Sequence, residues 1–314
     1  MRNQTDVHQF ILLGLTNDCR QQYILFTFFL LLYIAYFLGN GDILAIDFTE
    51  PRLHSPMYFF ALGNLSCLDI CYPTVTVPIM LGGFLMQHQS ISFTGCLTQL
   101  HFFHFLGIRE AVLMGVMAYD RYVAICSPLH YSVIMSELAC LMLAGATWTA
   151  GFFHSLMHTV MTSHLWFCGS HHIQHFFCDI KPLLTLACNS TALNLTLLNV
   201  LTGSFALSPF FFILLSYLYI ISFLIFKVQS WKSCWKAFST CASHLTVVAI
   251  FFIPFISNYM FASARVMMMM MMMMSLLYTA VTPVLNPLIY NLRNQEVKSA
   301  RRKILKQKLI FGRQ

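Results

Sequence analysis

The sequence predicts an all-α membrane protein, a bundle of seven transmembrane helices, and three observations predict it. Of 314 residues, 58% are hydrophobic and 9% charged, against roughly a quarter charged in an ordinary soluble domain. The apolar residues gather into seven runs, each long enough to cross a bilayer as a helix of about 20 residues. Positive charge is concentrated in alternate connections, as the positive-inside rule requires of a multi-pass chain.

Taken in order, residues 1–23 are polar and lack a continuous apolar core. No cleavable signal peptide is expected, so the first span should act as the insertion signal. The spans are expected near 24–46, 57–80, 96–125, 138–161, 197–226, 237–261 and 267–290. The seventh opens with the run Met267 to Met274, which is apolar enough to begin a span but specifies packing poorly. Residues 291–314 form a tail in which Leu292, Val297, Ile304 and Leu305 alternate with basic residues. That spacing suits a short amphipathic helix lying on the inner membrane face. No internal repeat is visible, which counts against a secondary transporter.

The net charge of +7 points to membrane lipid and not to nucleic acid, because eight of the eighteen Lys and Arg residues follow Tyr290. Such a cluster just beyond a span is held at the anionic cytoplasmic leaflet. With the C-terminus inside, thirteen basic residues fall in inner segments and four in outer ones, with Arg109 inside a span. The orientation is therefore N-terminus out and C-terminus in, in the plasma membrane. The sequons at Asn3, Asn189 and Asn194 all fall outside, whereas the one at Asn64 lies within a span. Cys96, Cys168, Cys178 and Cys188 flank polar loops and suggest disulfides formed in an oxidising compartment, with three pairings open.

The third span is the most informative. Phe103, Gly107, Glu110, Met114, Met117 and Arg121 recur at steps of four and three, which forms one inward stripe at 3.6 residues per turn. Inserting an acid at mid-membrane costs about 2.5 to 3.5 kcal/mol, so Glu110 should face the interior and have a partner. Asp69 in the second span is its natural companion. The two carboxyls would hold a sodium ion or share a proton as a conformational lock, the alternative being a purely hydrogen-bonded network. Histidines cluster at the outer side: His154 and His158 one turn apart, and His164, His171, His172 and His175 in the following loop. Metal binding there is the weaker reading, and solvated loop histidines are the default.

Six stretches occur in order along the chain: Leu53-His-Ser-Pro-Met-Tyr-Phe-Phe60, Leu65-Ser-Cys-Leu-Asp69, Met117-Ala-Tyr-Asp-Arg-Tyr-Val-Ala-Ile-Cys126, Pro128-Leu-His-Tyr131, Lys236-Ala-Phe-Ser-Thr-Cys-Ala-Ser-His244 and Pro283-Val-Leu-Asn-Pro-Leu-Ile-Tyr290. Across nearly its whole length the sequence resembles the olfactory receptors, rhodopsin-like receptors coupled to G proteins. The resemblance implies a receptor for small volatile odorants that activates a heterotrimeric, stimulatory olfactory-type G protein. It pairs Cys96 with Cys178 and Cys168 with Cys188. It assigns coupling and activation to Asp120, Arg121, Tyr122, Tyr217, His244, Asn286, Pro287 and Tyr290, with an ion pair between Asp120 and Arg121 at rest. Asn40, Asp69 and Asn286 would form a polar centre. Helical phase and the resemblance together place the odorant among Phe103, His104, Gly107, Ile108, Ser204, Phe255, Tyr259 and Thr279, an apolar lining with a few hydrogen-bonding groups.

Several positions depart from the family pattern. Phe252 stands where a tyrosine is usual, Pro254 favours a kink, and Asp42 and Arg109 occupy places normally uncharged. For Arg109 both snorkelling and pairing with an acid are open. A non-olfactory receptor of the same superfamily is the nearest alternative. No lysine occurs from Met267 to Tyr290 for an opsin Schiff base. An enzyme is disfavoured too, since neither a paired nucleophile and base nor an H-E-x-x-H motif is present.

Overall fold

A computed structural model of the chain describes residues 8–16, 18–49, 63–86, 89–168, 171–227, 231–260, 272–273 and 275–276. Asn3, the stretch 53–60, Thr279, Asn286, Pro287, Tyr290 and the basic tail lie outside the described residues, as does nearly all of the expected seventh span.

Five helical segments among the described residues are long and apolar enough to cross a membrane. They are α1 (Cys19–Thr49), α2 (Gly63–Met86), α3 (Phe93–Cys126), α5 (Glu137–Ser163) and the rod formed by α7 (Ala192–Leu197), a π turn (Leu198–Thr202) and α8 (Gly203–Lys227). The last long helix, α9 (Trp231–Met260), has its apolar stretch at His244–Ser257. Short helices α4 (Tyr131–Ile134) and α6 (Ile180–Leu184) lie in the connections on either side of α5. Tyr23, Phe28, Leu31 and Leu38 on α1, and Phe211, Leu215, Leu218 and Ile225 on α8, are exposed. Apolar faces this extensive are stable only against lipid.

Helix starts follow local chemistry. Ser92 caps α3 by accepting a hydrogen bond from Gly95 N at 3.1 Å, and Ser136 caps α5 by accepting from Ala139 N at 3.3 Å, each satisfying a donor that a helix end leaves free. The helix α3 is the hub, packing against α2, α5, α8 and α9. Its approach to α5 is close because Gly151 has no side chain: a Cβ there would stand 2.7 Å from Phe105 O.

One end of the bundle carries a sheet that the polar N-terminal segment did not suggest. Strand β1 (Gln9–Leu12) lies between β2 (Gln89–Ser92), antiparallel with Gln9 opposite Ser92, and β3 (His172–Ile173), parallel with Ile11 opposite His172. Phe10 and Leu12 point inward and are buried. The Phe10 ring sits 5.2 Å from Phe167 and 6.2 Å from Phe93. This sheet end is opposite the Arg121 end of α3.

Candidate functional site

Toward the sheet end, α3 presents Phe103, His104 and Ile108 to the interior, all buried. Phe103 stacks on Tyr72 of α2 at 5.2 Å and meets Phe177 of the α5–α7 loop at 4.5 Å. Gly107 leaves room for neighbours: a Cβ there would stand 3.4 Å from Tyr72 Oη and 3.8 Å from the Phe255 ring of α9. Phe103, Gly107 and Phe255 are thus brought together around Tyr72. Tyr259 falls in α9, but its side chain lies outside the described part of the chain.

Ser204 is a correction. It is exposed, donates to Val200 O at 2.5 Å, and borders a shallow outer groove with Asn199, Val200, Gly203, Leu207 and Ser208. The cause is the π turn at Leu198–Thr202, which inserts a residue and rotates the helical phase of α8. Thr202 faces inward instead. Its hydroxyl lies 3.0 Å from His154 Nε2 and 3.3 Å from His158 Nε2, so it is a site residue that uninterrupted helical phase could not find.

The two α5 histidines and His104 pack as a cluster, with ring centroids 4.7 to 6.2 Å apart. His104 Nε2 meets Asp179 Oδ1 at 3.2 Å, tying α3 to the loop. The disulfide Cys96–Cys178 fixes the loop beside that contact, and Cys168–Cys188 closes its far side. Gln99 adds a clasp, accepting from Cys178 N and donating to Val75 O, each at 2.9 Å. Burial works to raise the Asp179 carboxyl, but the hydrogen bonds from His104 and from the Ile180 N–H hold it below its ordinary value. Burial pushes His175 down to about 4, so this loop histidine is neutral and enclosed, unlike exposed His164 and His172. Among the described residues no group of three His, Cys, Asp or Glu side chains could hold a metal ion.

Deeper in the bundle Asn40, Asp69 and Glu110 are all buried, and Asn40 Nδ2 donates to Tyr36 O at 3.0 Å. Arg109 neither snorkels nor pairs with an acid. Its guanidinium lies 3.4 Å over the Trp148 ring and donates to Asn64 Oδ1 at 2.5 Å. Neutral groups meet it because α2 and α5 flank this face of α3 and supply no carboxylate there.

At the Arg121 end the expected Asp120–Arg121 ion pair is not formed. Tyr131 Oη donates to Asp120 Oδ1 at 2.7 Å instead, since α4 folds back under α3 and successive helix residues point in different directions. Tyr122 packs its ring 5.3 Å from Tyr219. Tyr217 Oη and His244 Nδ1 are 2.7 Å apart, both buried, joining α8 to α9. Of the sequons, Asn189 is exposed, while Asn194 is buried within α7.

The described geometry is that of a helical bundle with a buried polar cluster at one end and a helix-to-helix hydrogen bond at the other. A sequence profile of the family described as "Olfactory receptor" matches residues 29–308. Human "Olfactory receptor 12D1" is 54% identical over 98% of this chain and 96% of its own length. Human "Olfactory receptor 12D3" is 52% identical over 99% and 98%, and mouse "Olfactory receptor 1M1" is 46% identical over 98% of each chain.

Proposed function

The chain belongs to the olfactory receptor family of seven-transmembrane receptors, and from that premise we propose that it binds a small volatile odorant near the sheet end and activates a stimulatory olfactory-type G protein at the Arg121 end. The sheet end and N-terminus then face outward, and the Arg121 end and C-terminus lie in the cytoplasm. One observation carries the reading: α9 bears Phe255, which meets Gly107 of α3 at the ligand end, and His244, which bonds Tyr217 of α8 further along. A ligand that rearranges the packing around Phe255 therefore acts on the same rod whose other end would open the inner cavity. The mechanism is a population shift, the odorant binding the active arrangement better than the resting one. Aromatic rings with His104 and Thr202 as polar groups suit small, weakly polar molecules. Arg121 lies within electrostatic reach of His244, which places a cation beside the bond that must change.

Asp69 and Glu110 take the role of a lock by holding a sodium ion or sharing a proton. Two buried carboxyls on the packed helices α2 and α3 fit a monovalent ion or a proton, and neither Asp69→Asn nor Glu110→Gln should leave basal signalling unchanged.

The test is an odorant panel read by cyclic AMP in cells expressing the chain, with Arg121→Ala as control. A saturable response to at least one odorant, abolished in the control at equal surface expression, is expected. Ion-dependent uptake by proteoliposomes with no response to any odorant would favour a transporter instead.

A further inference from the structure

The N-terminal strand holds together two loops that frame the ligand end of the bundle. Within the three-stranded sheet β1 is the middle strand, so β2 and β3 are joined through it. Phe10 and Leu12 anchor it from below, both buried, with the Phe10 ring edge-on to Phe167. Just past the strand Gly14 takes a φ of 70°, a left-handed conformation that glycine adopts without strain as the chain leaves the sheet for α1.

The two sides of β1 are unequal. Toward β2 it pairs antiparallel from Gln9 to Leu12, and Phe93 N donates to His8 O at 3.0 Å beyond the strand. Toward β3 it pairs parallel and only at Ile11 and Leu12, held by Ile11 N to His171 O at 2.9 Å and Leu13 N to Ile173 O at 3.1 Å. Parallel pairing is the weaker per residue and here it is also the shorter, so the β3 side opens first. Strand β3 belongs to the stretch between Cys168 and Cys178, whose ends are pinned by the two disulfides. In the same stretch Phe177 packs on Phe103 at 4.5 Å and on Phe176 at 4.9 Å. A space bordered by Leu12, Gly14, Met80, Phe84 and Phe176 lies alongside, which gives the Phe176 ring room to move.

We propose that β1 is a clasp on the ligand end: while it is paired with β3, the Phe176 and Phe177 rings stay seated over Phe103, and release of that one edge admits a small molecule. The inference rests on the reading of the Phe103, Gly107 and Phe255 region as an outward-facing odorant site. Opening of this kind is local unfolding, whose population is set by the few bonds that hold the moving edge. The clasp therefore governs how fast a ligand enters and leaves, whereas the residues of α3 and α9 govern which ligand is held.

Thiol labelling of the full chain in phosphatidylcholine nanodiscs tests this without an odorant. The parent carries Ile108→Cys, at a position buried on the same helix as Phe103, and the probe is a membrane-impermeant cationic methanethiosulfonate read by site-resolved mass spectrometry. Where reclosing outpaces labelling, the rate follows the open population. Adding Ile11→Pro removes the N–H given to His171 O and should raise the rate at position 108 about fivefold, the effect of one net hydrogen bond. Ile11→Val keeps that N–H and should label like the parent. Should Ile11→Pro fail to fold, Leu13→Pro removes the other bond to the β3 side and should raise the rate likewise. Cys241, buried one turn before His244 on α9, reports on the bundle as a whole and should be no faster in any variant. A rate at position 108 indifferent to both proline variants, or a matching rise at Cys241, would overturn the clasp. An odorant panel without a response would strike the ligand reading and leave the labelling result standing.

Discussion

At His104 a helix and a loop are joined by one buried contact, and its removal should be felt well beyond the residue. Replacing His104 with Ala leaves the Asp179 carboxylate enclosed without its imidazole, a loss of about 1 to 3 kcal/mol for a buried acceptor deprived of a hydrogen bond. Thermal unfolding of the purified receptor should show a clear drop for His104→Ala and a smaller one for Asp179→Asn, whose amide can still meet a neutral imidazole. An unchanged melting temperature in His104→Ala would show that the contact is idle. His175 makes the loop sensitive to acid. Burial holds it at about 4 instead of 6.5, so the unfolded chain binds a proton in a range where the folded loop does not. Stability is therefore complete above about 6.5 and declines as pH falls toward 4, by up to about 3 kcal/mol. Melting curves at pH 7.5, 6 and 5 should show this decline, and His175→Phe should flatten it. His104 was legible from helical phase, but His175 was not, because a histidine in a polar loop gives no sign that Phe176 and Phe177 will enclose it.

Among the elements, composition alone made the apolar helical character of the five described spanning segments legible, since a run of apolar residues in lipid has little choice but to be helical. What composition misses is backbone irregularity. The π turn at Leu198–Thr202 has no sequence signature, and it leaves Ser204 facing outward and Thr202 facing the histidines. Strand β1 was equally hidden, because its four residues alternate too briefly to stand out and its partners come from two distant loops. The α3–α5 seam offers a test of packing at this scale. Gly151→Ala would set a methyl group against Phe105 O, and forcing the helices apart should destabilise the bundle by about 1 to 3 kcal/mol. Reduced surface expression and a lowered melting temperature are expected. Gly145→Ala, where nothing lies within 4 Å, should be neutral, and equal effects from the two would remove close approach as the reason for glycine at 151.

For the molecule as a whole, the sequence motifs identified the family, and helical phase with that resemblance found Phe103, Gly107 and Phe255, which the structure assembles. Roles at the Arg121 end were less legible, since the partner of Asp120 proved to be Tyr131, contributed by a short helix no periodicity reveals. The central claim is that odorant bound near the sheet end shifts α9 and so exposes a G-protein site some helical turns away. Nucleotide exchange on a purified olfactory-type G protein, driven by the receptor in nanodiscs and titrated with an active odorant, measures that coupling most directly. Exchange should rise saturably with odorant, and Tyr217→Phe, which removes the hydroxyl bonded to His244, should change the extent of exchange while leaving odorant binding intact. Odorant that binds without altering exchange in the wild-type receptor would contradict the account.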